Sequence, residues 1–244
     1  MARNFDNGRF NESAVQRTRS YDNDAIDAGL RAYMLSVYNY MALGLGLTGV
    51  VAMLTASSPV MLNAIFGTPL QWVVMLAPIG FVLFLSARIN QMSASTAQVV
   101  YWAYAALMGL SLSSIFLVYV EASIARVFFI TAGTFAGMSL YGYTTKRDLS
   151  GFGSFLFMGL IGLVLASIVN MFLKSTGLEF ALSAIGVLIF TGLTAYDTQM
   201  IRARYLEGDD AGVMTKKAVL GALNLYLDFI NLFMMLLRLF GDRR

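Results

Sequence analysis

Two aspartates stand inside hydrophobic segments near the carboxyl terminus of this sequence. Asp228 lies near the middle of the last segment, residues 217–239, and Asp197 lies near the end of the preceding segment, residues 178–201. A carboxylate at the centre of a transmembrane helix costs about 2.5 to 3.5 kcal/mol on insertion scales, so it normally faces the protein interior or water. Both aspartates are therefore candidate functional residues.

Asn224 and Asn231 extend the polar character of the last segment. At helical spacing they share one face with Asp228, whereas leucine, phenylalanine and isoleucine cover the rest of the helix. This polar seam predicts that the last helix packs centrally against protein. A structural alternative remains open, in which the asparagines satisfy Asp228 and Asp197 only forms hydrogen bonds near a helix end.

The order of the segments predicts that the two aspartates lie in the same half of the protein. The sixth segment runs toward the side of the membrane from which the seventh returns. Two carboxyl groups at hydrogen-bond distance in a low dielectric cannot both ionise cheaply, so they share a proton and titrate together. When protonated, such a pair can bridge two helices. When ionised, it repels itself, offers oxygens to a cation such as calcium, and can pair with a base, for which Arg88 is the candidate.

The composition is that of a polytopic membrane protein. The chain has 244 residues, of which 58% are hydrophobic and 13% charged, and its mean hydropathy is +0.68. A soluble domain of this size is less apolar and more charged. The absence of Cys and His excludes disulfides, thiolate chemistry and imidazole or thiolate metal ligands, so oxygen chemistry with protons or hard cations is left.

The hydropathy pattern predicts an all-α, seven-helix membrane bundle over residues 30–244. Residues 1–29 are mixed in charge and lack an apolar run, which predicts a mobile polar tail. The predicted segments are residues 30–55, 69–87, 97–119, 122–143, 152–173, 178–201 and 217–239.

The distribution of basic residues predicts a cytoplasmic amino terminus. Counting Lys and Arg on alternate sides places 12 on the amino-terminal side and 5 opposite. Seven segments leave the basic residues Arg238, Arg243 and Arg244 outside, against the same rule. The alternative is a six-span protein whose seventh hydrophobic segment is re-entrant.

Two local features predict how the helices pack. Small residues allow close helix contact, and they include Ala42, Gly46 and Gly49 in the first segment and Gly133 and Gly137 in the fourth. The connection formed by residues 120–122 is so short that the third and fourth segments are expected to be antiparallel neighbours.

An enzyme is not expected. Intramembrane aspartyl proteases also use two membrane aspartates, and Tyr196-Asp197 fits their first motif. Leu225-Tyr-Leu-Asp228, however, lacks the glycines of their second motif, and their proline-rich motif is missing. The sequence contains no phosphate-binding loop, metal-ligand cluster or Ser/His arrangement, and so apolar a chain offers no nucleic-acid surface.

Four separated motifs resemble one family. They are Leu30-Arg-Ala-Tyr-Met-Leu-Ser-Val-Tyr, Tyr143-Thr-Thr-Lys-Arg-Asp-Leu-Ser150, Thr194-Ala-Tyr-Asp-Thr-Gln199 and Leu225-Tyr-Leu-Asp-Phe-Ile-Asn-Leu-Phe233. In this order they are similar to the Bax inhibitor-1 family, in its bacterial YccA/YbhL-like branch. The resemblance implies seven helices with the seventh wrapped by the other six, in the bacterial inner membrane. It also implies a pH-sensitive calcium leak gated by an aspartate pair, at positions matching Asp197 and Asp228, with Arg88 matching the basic partner.

Two functions of different classes follow from these observations. The first is a proton-gated cation leak that needs no cofactor, in contact with membrane lipid, protons and calcium. The second is a non-conducting regulator that binds and restrains a membrane protease or stress machinery, with residues 1–29 as the contact. The sequence does not choose between them.

Overall fold

The computed structural model describes the backbone of residues 7–244 and the side chains of residues 27–89 and 91–244. The described backbone is helical apart from short connections and contains no strand. The all-α prediction is therefore confirmed. Residues 1–6 lie outside the described part, and the first helix runs over Asn7–Ala56. The mobility of residues 1–29 stays a prediction.

Seven helices are long and apolar enough to cross a membrane, as the hydropathy pattern predicted. The shortest has 19 residues, which at 1.5 Å per residue is about 29 Å and matches a hydrocarbon core of about 30 Å. We number the spans one to seven in chain order: Asp27–Ala56, Leu70–Arg88, Ala94–Val118, Glu121–Thr144, Ser150–Leu173, Thr176–Ala203 and Ala211–Phe240.

Serine side chains fix the starts of three helices. The hydroxyl of Ser58 accepts from the backbone of Met61 at the start of the short helix Pro59–Phe66, which joins spans one and two. Ser93 and Ser175 do the same at the starts of spans three and six. Because the first turn of a helix has no internal acceptors for its N–H groups, each serine replaces one missing hydrogen bond.

Span seven is the most buried helix of the described bundle. It packs mainly against spans one, three, four and six, and its side chains are buried from Ala218 to Leu237. Spans two and five lie outside this group, with span two against span three and span five against span six. Four helices, rather than six, therefore supply the principal contacts of span seven.

The short connection between spans three and four does not make them packing neighbours. Span three packs mainly against spans one and two and span four mainly against span six, and both also contact span seven. Phe128 of span four lies against Phe229 and Phe233 of span seven, with ring centroids 5.4 and 6.3 Å apart. Span three is not among the principal packing partners of span four, so the expected close packing of these two spans was wrong.

A buried hydroxyl pair joins spans one and seven. Thr48 Oγ1 donates to the carbonyl of Ala105 at 2.8 Å, and the oxygens of Thr48 and Tyr226 are 2.7 Å apart. Since a threonine hydroxyl has one hydrogen, Tyr226 donates to Thr48 in this arrangement. The rings of Tyr101 and Tyr104 pack edge-on against Tyr226, at 6.4 and 5.6 Å. Spans one, three and seven are thus held together by one aromatic cluster.

The two ends of span seven lie at opposite ends of the bundle. At its start, Lys217 Nζ donates to the carbonyl of Arg204, 2.9 Å away, and pairs with Asp209. After its end, Asp242 and Arg244 exchange backbone hydrogen bonds with Val120 and Val118, at 3.0 and 2.9 Å. The helix is 30 residues long, or about 45 Å. Span seven therefore crosses the bundle completely and is not re-entrant.

Ion pairs attach the carboxyl-terminal residues to the starts of spans four and six. Arg243 pairs with Glu179 at the start of span six, at 2.9 Å, and Arg244 pairs with Glu121 at the start of span four, at 3.4 Å. These ionic contacts are exposed, so each contributes little by itself. Together with the backbone hydrogen bonds, they fix the position of the end of span seven.

Close contact between helices occurs at glycines other than those predicted. A Cβ added at Gly142 would lie 2.2 Å from the carbonyl oxygen of Ala195 on span six. Open space surrounds the four glycines that the sequence had singled out: Gly46, Gly49, Gly133 and Gly137. The predicted packing role of those four was wrong, because they face outward, and spacing alone does not say which side of a helix meets protein.

Replacing Gly142 by alanine should destabilise the protein. The new methyl group meets a backbone oxygen that cannot rotate away, and overpacking of this kind costs about 1 to 3 kcal/mol. Gly137→Ala, on the same helix, is the matched control because its Cβ meets open space. In thermal unfolding of the purified protein, G142A should melt below both wild type and G137A. Equal melting of the two variants would contradict the packing described here.

Removing the hydroxyl of Tyr226 should weaken the bundle, whereas removing that of Tyr104 should not. Tyr226→Phe deletes a buried hydrogen bond worth about 1 kcal/mol. The hydroxyl of Tyr104 is buried without a partner among the described residues, so Tyr104→Phe should be neutral or stabilising. Thermal midpoints of the two variants measure the difference, and a larger loss for Y104F would be the opposite of the expected result.

Candidate functional site

The two candidate aspartates are positioned by the contact between spans six and seven. Gly186 of span six lies against Met235, and Gly221 of span seven lies against Ile201. A Cβ at these glycines would be 2.8 and 3.1 Å from the facing side chain. The two glycines allow spans six and seven to approach closely on both sides of Asp228, so the acids are held at a tight helix interface.

The structure brings Asp197 and Asp228 together. Asp228 is only 6% exposed, and Asp197 is half-buried. Their carboxyl groups are near enough for the charge of each to act on the other. Ionised carboxylates only accept, so a hydrogen bond between them requires that one carries a proton. The Oδ2 atom of Asp228 is buried and has no hydrogen-bond partner among the described residues.

The basic group near the pair is Arg204, not Arg88. Arg204 follows the last residue of span six and is near enough for its charge to act on Asp197. Arg88 instead donates to Gln91 Oε1 at 2.9 Å, and its helix packs mainly against span three. The structure therefore does not bring Arg88 to the pair. Sequence reasoning missed Arg204, although it lies seven residues after Asp197, and this spacing of two helical turns could have pointed to it.

Asn231 belongs to a neighbouring cavity rather than to the carboxyl pair. Its amide nitrogen donates to the carbonyl of Leu227 at 2.8 Å. Its side chain lines a cavity of about 640 Å³ between spans five, six and seven, together with Asn170 and Glu179. Asn224 is half-buried. The amide of Asn231 therefore does not account for the burial of Asp228, and the alternative in which it satisfies that carboxyl does not match the geometry.

The carboxyl pair does not form a resident metal site by itself. Among the described residues, no group of three or more His, Cys, Asp or Glu side chains is close enough to hold a metal ion. Calcium takes six to eight oxygen ligands, of which two carboxyl groups supply only part. The arrangement can take up or release a proton between two helices, and it can offer oxygens to an ion in transit.

Comparison with known proteins places the chain in a family. The family model described as "Inhibitor of apoptosis-promoting Bax1" matches residues 30–244. The inner membrane protein YbhL of Escherichia coli K12 is 52% identical over 220 residues, which cover 89% of this chain and 94% of that protein. An uncharacterized protein of Rickettsia prowazekii is 49% identical over 227 residues, covering 93% and 96%. The chain belongs to the Bax inhibitor-1 family.

Proposed function

We propose that the chain is a pH-sensitive cation leak channel, with calcium as the cation, gated by Asp197 and Asp228. The observation that carries the proposal is the buried carboxyl pair between spans six and seven. An acid inside a spanning helix is costly and is kept for ion or proton pathways more often than for stability. The relative YbhL is named an inner membrane protein, and we place this chain in the same membrane with its amino terminus in the cytoplasm.

The proposed gate works through the charge of the pair. With one proton between them, the carboxyl groups join spans six and seven and close the interface. Loss of that proton leaves two negative charges in a low dielectric, which repel each other and attract a cation. Arg204 stabilises the charge on Asp197 in the ionised state. Ionisation of the pair therefore separates the helices and opens the path.

Polar groups on both sides of the pair support a path for ions. The cavity that reaches Asn231 opens toward Glu179, at the end of the bundle that holds the carboxyl terminus. Asn231 lies three residues, or less than one turn, after Asp228. At the other end of the bundle, Arg204, Asp209 and Lys217 form a charged cluster. The cavity therefore comes within one helical turn of Asp228.

Replacing Asp228 by asparagine should remove the pH dependence of flux. The amide cannot ionise, so the interface no longer gains a second charge when pH rises. Calcium flux into vesicles that contain purified protein is measured at two pH values, and for D228N the ratio should fall to about one. Asp210→Asn is the matched control, because Asp210 is exposed and its side chain makes no cap hydrogen bond. A D228N protein with the wild-type ratio would refute the proposed gate.

Replacing Arg204 should shift the response to pH more than replacing Arg88. A nearby positive charge favours the ionised carboxyl, so Arg204→Gln should move the midpoint of the flux–pH profile to higher pH. Because Arg204 is exposed, screening should keep the shift below about one pH unit. Arg88→Gln removes the same charge away from the pair. A larger shift for R88Q than for R204Q would show that Arg88 is the basic partner of the pair, and would contradict the assignment to Arg204.

A further inference from the structure

We infer that the groove between spans one and four is a binding site for an anionic phospholipid. The groove has a volume of about 530 Å³ and is lined by side chains of these two spans. Met34, Met41 and Phe135 are buried along it, whereas Leu35 and Leu140 on its rim are 56% and 63% exposed. The inner surface of the groove is therefore apolar, and its rim faces the surrounding bilayer.

The length of the groove fits one acyl chain of one leaflet. On span one it extends from Arg31 to Ala42, which is about 16 Å at 1.5 Å per residue. The hydrocarbon core of a bilayer is about 30 Å thick, so one leaflet contributes about half of that. A chain that begins at the level of Arg31 would end near the middle of the membrane, at the level of Ala42.

The polar atoms inside the groove are already paired, so the groove does not need water. The hydroxyl of Tyr38 is 2.7 Å from that of Ser139, which is 2.9 Å from that of Thr198 on span six. Thr198 in turn donates to the carbonyl of Thr194 at 2.7 Å. A hydrocarbon chain can occupy this space without leaving a buried polar group unsatisfied.

Two arginines give the open end of the groove a positive charge. Arg31 lines the groove beside Tyr143. The guanidinium carbon of Arg202 lies 5.5 Å from the centre of the Tyr143 ring, and Arg202 also donates to the Tyr143 carbonyl at 2.8 Å. Neither Arg31 nor Arg202 takes part in the salt bridges found among the described side chains. Both guanidinium groups therefore keep donors for a phosphate oxygen.

The charge of its lining residues distinguishes this groove from the other two large cavities. The cavity between spans one, three, four and seven has Glu121 as its one charged residue among the described lining side chains. The cavity between spans five, six and seven carries Glu179 together with Arg238. Basic pockets between membrane helices attract anionic headgroups, and a carboxylate at the mouth repels them. The groove between spans one and four is the one that suits an anionic lipid.

Native mass spectrometry of the full chain in neutral detergent tests this site. Wild type should retain phosphatidylglycerol in preference to phosphatidylcholine with the same acyl chains. Arg31→Gln and Arg202→Gln should each reduce that preference about fivefold. Arg88→Gln is the matched control, because it removes one exposed arginine of a terminal turn outside the groove and should leave the preference unchanged.

A second variant tests the apolar part of the site independently of charge. Ala42→Phe places a ring in the groove at an exposed position of span one, so it should reduce retention of both lipids. The inference is overturned if wild type retains the two lipids equally, if R31Q behaves like R88Q, or if A42F retains lipid as wild type does. A dimer of the chain without bound lipid would also overturn it, because a second copy would then occupy the groove.

Discussion

The carboxyl group of Asp228 has to be kept away from lipid, and the arrangement of the bundle meets this requirement. Span seven carries the acid at mid-length and packs against four other spans, so that its side chains are buried over five turns. The cost of exposing an acid to hydrocarbon, several kcal/mol, exceeds what most single packing contacts contribute. Spans two and five, which contain no acid, are left on the outside with many side chains facing lipid.

Span seven is fixed at both ends and along one face, and its contact with span six is the place where the proposed gate acts. Its start is tied to the end of span six through Lys217, and its end is tied to spans three and four through Asp242 and Arg244. The Tyr226 cluster fixes the face toward spans one and three. The face toward span six instead carries Asp228 near Asp197, and in the proposed function a single proton decides whether that contact attracts or repels.

The spans and the candidate acids could be predicted from the sequence, whereas most contacts between helices could not. Seven hydrophobic runs and an acid in the last one are local properties, and the structure has the seven spans. Span seven begins at Ala211 rather than residue 217, because Lys216 and Lys217 hide its first turns from a hydropathy average.

Contacts between helices depend on how each helix is rotated about its own axis. A single sequence gives little information about that rotation. Arg88 and Arg204 both close a helix at the same end of the bundle, and the packing shows that Arg204, and not Arg88, is near Asp197. In the same way, Gly142 and Gly137 are both small residues on span four, yet only Gly142 meets another backbone. Asn224, Asp228 and Asn231 share one face of span seven, as their helical spacing predicted. The alternative in which Asn231 satisfies Asp228 was wrong, because the amide of Asn231 donates to the carbonyl of Leu227 instead.

The central claim is that Asp197 and Asp228 hold one proton as a unit, and infrared spectroscopy of the protonated carboxyl group tests it most directly. The carbonyl stretch of a buried, protonated carboxyl is followed through a pH titration of the purified protein, in wild type and in the D197N and D228N variants. The account predicts a band in wild type that titrates with one proton and is changed by either substitution, because each carboxyl determines the proton of the other. A band that titrates identically in wild type and in D197N would show that the two acids act independently, and would contradict the account.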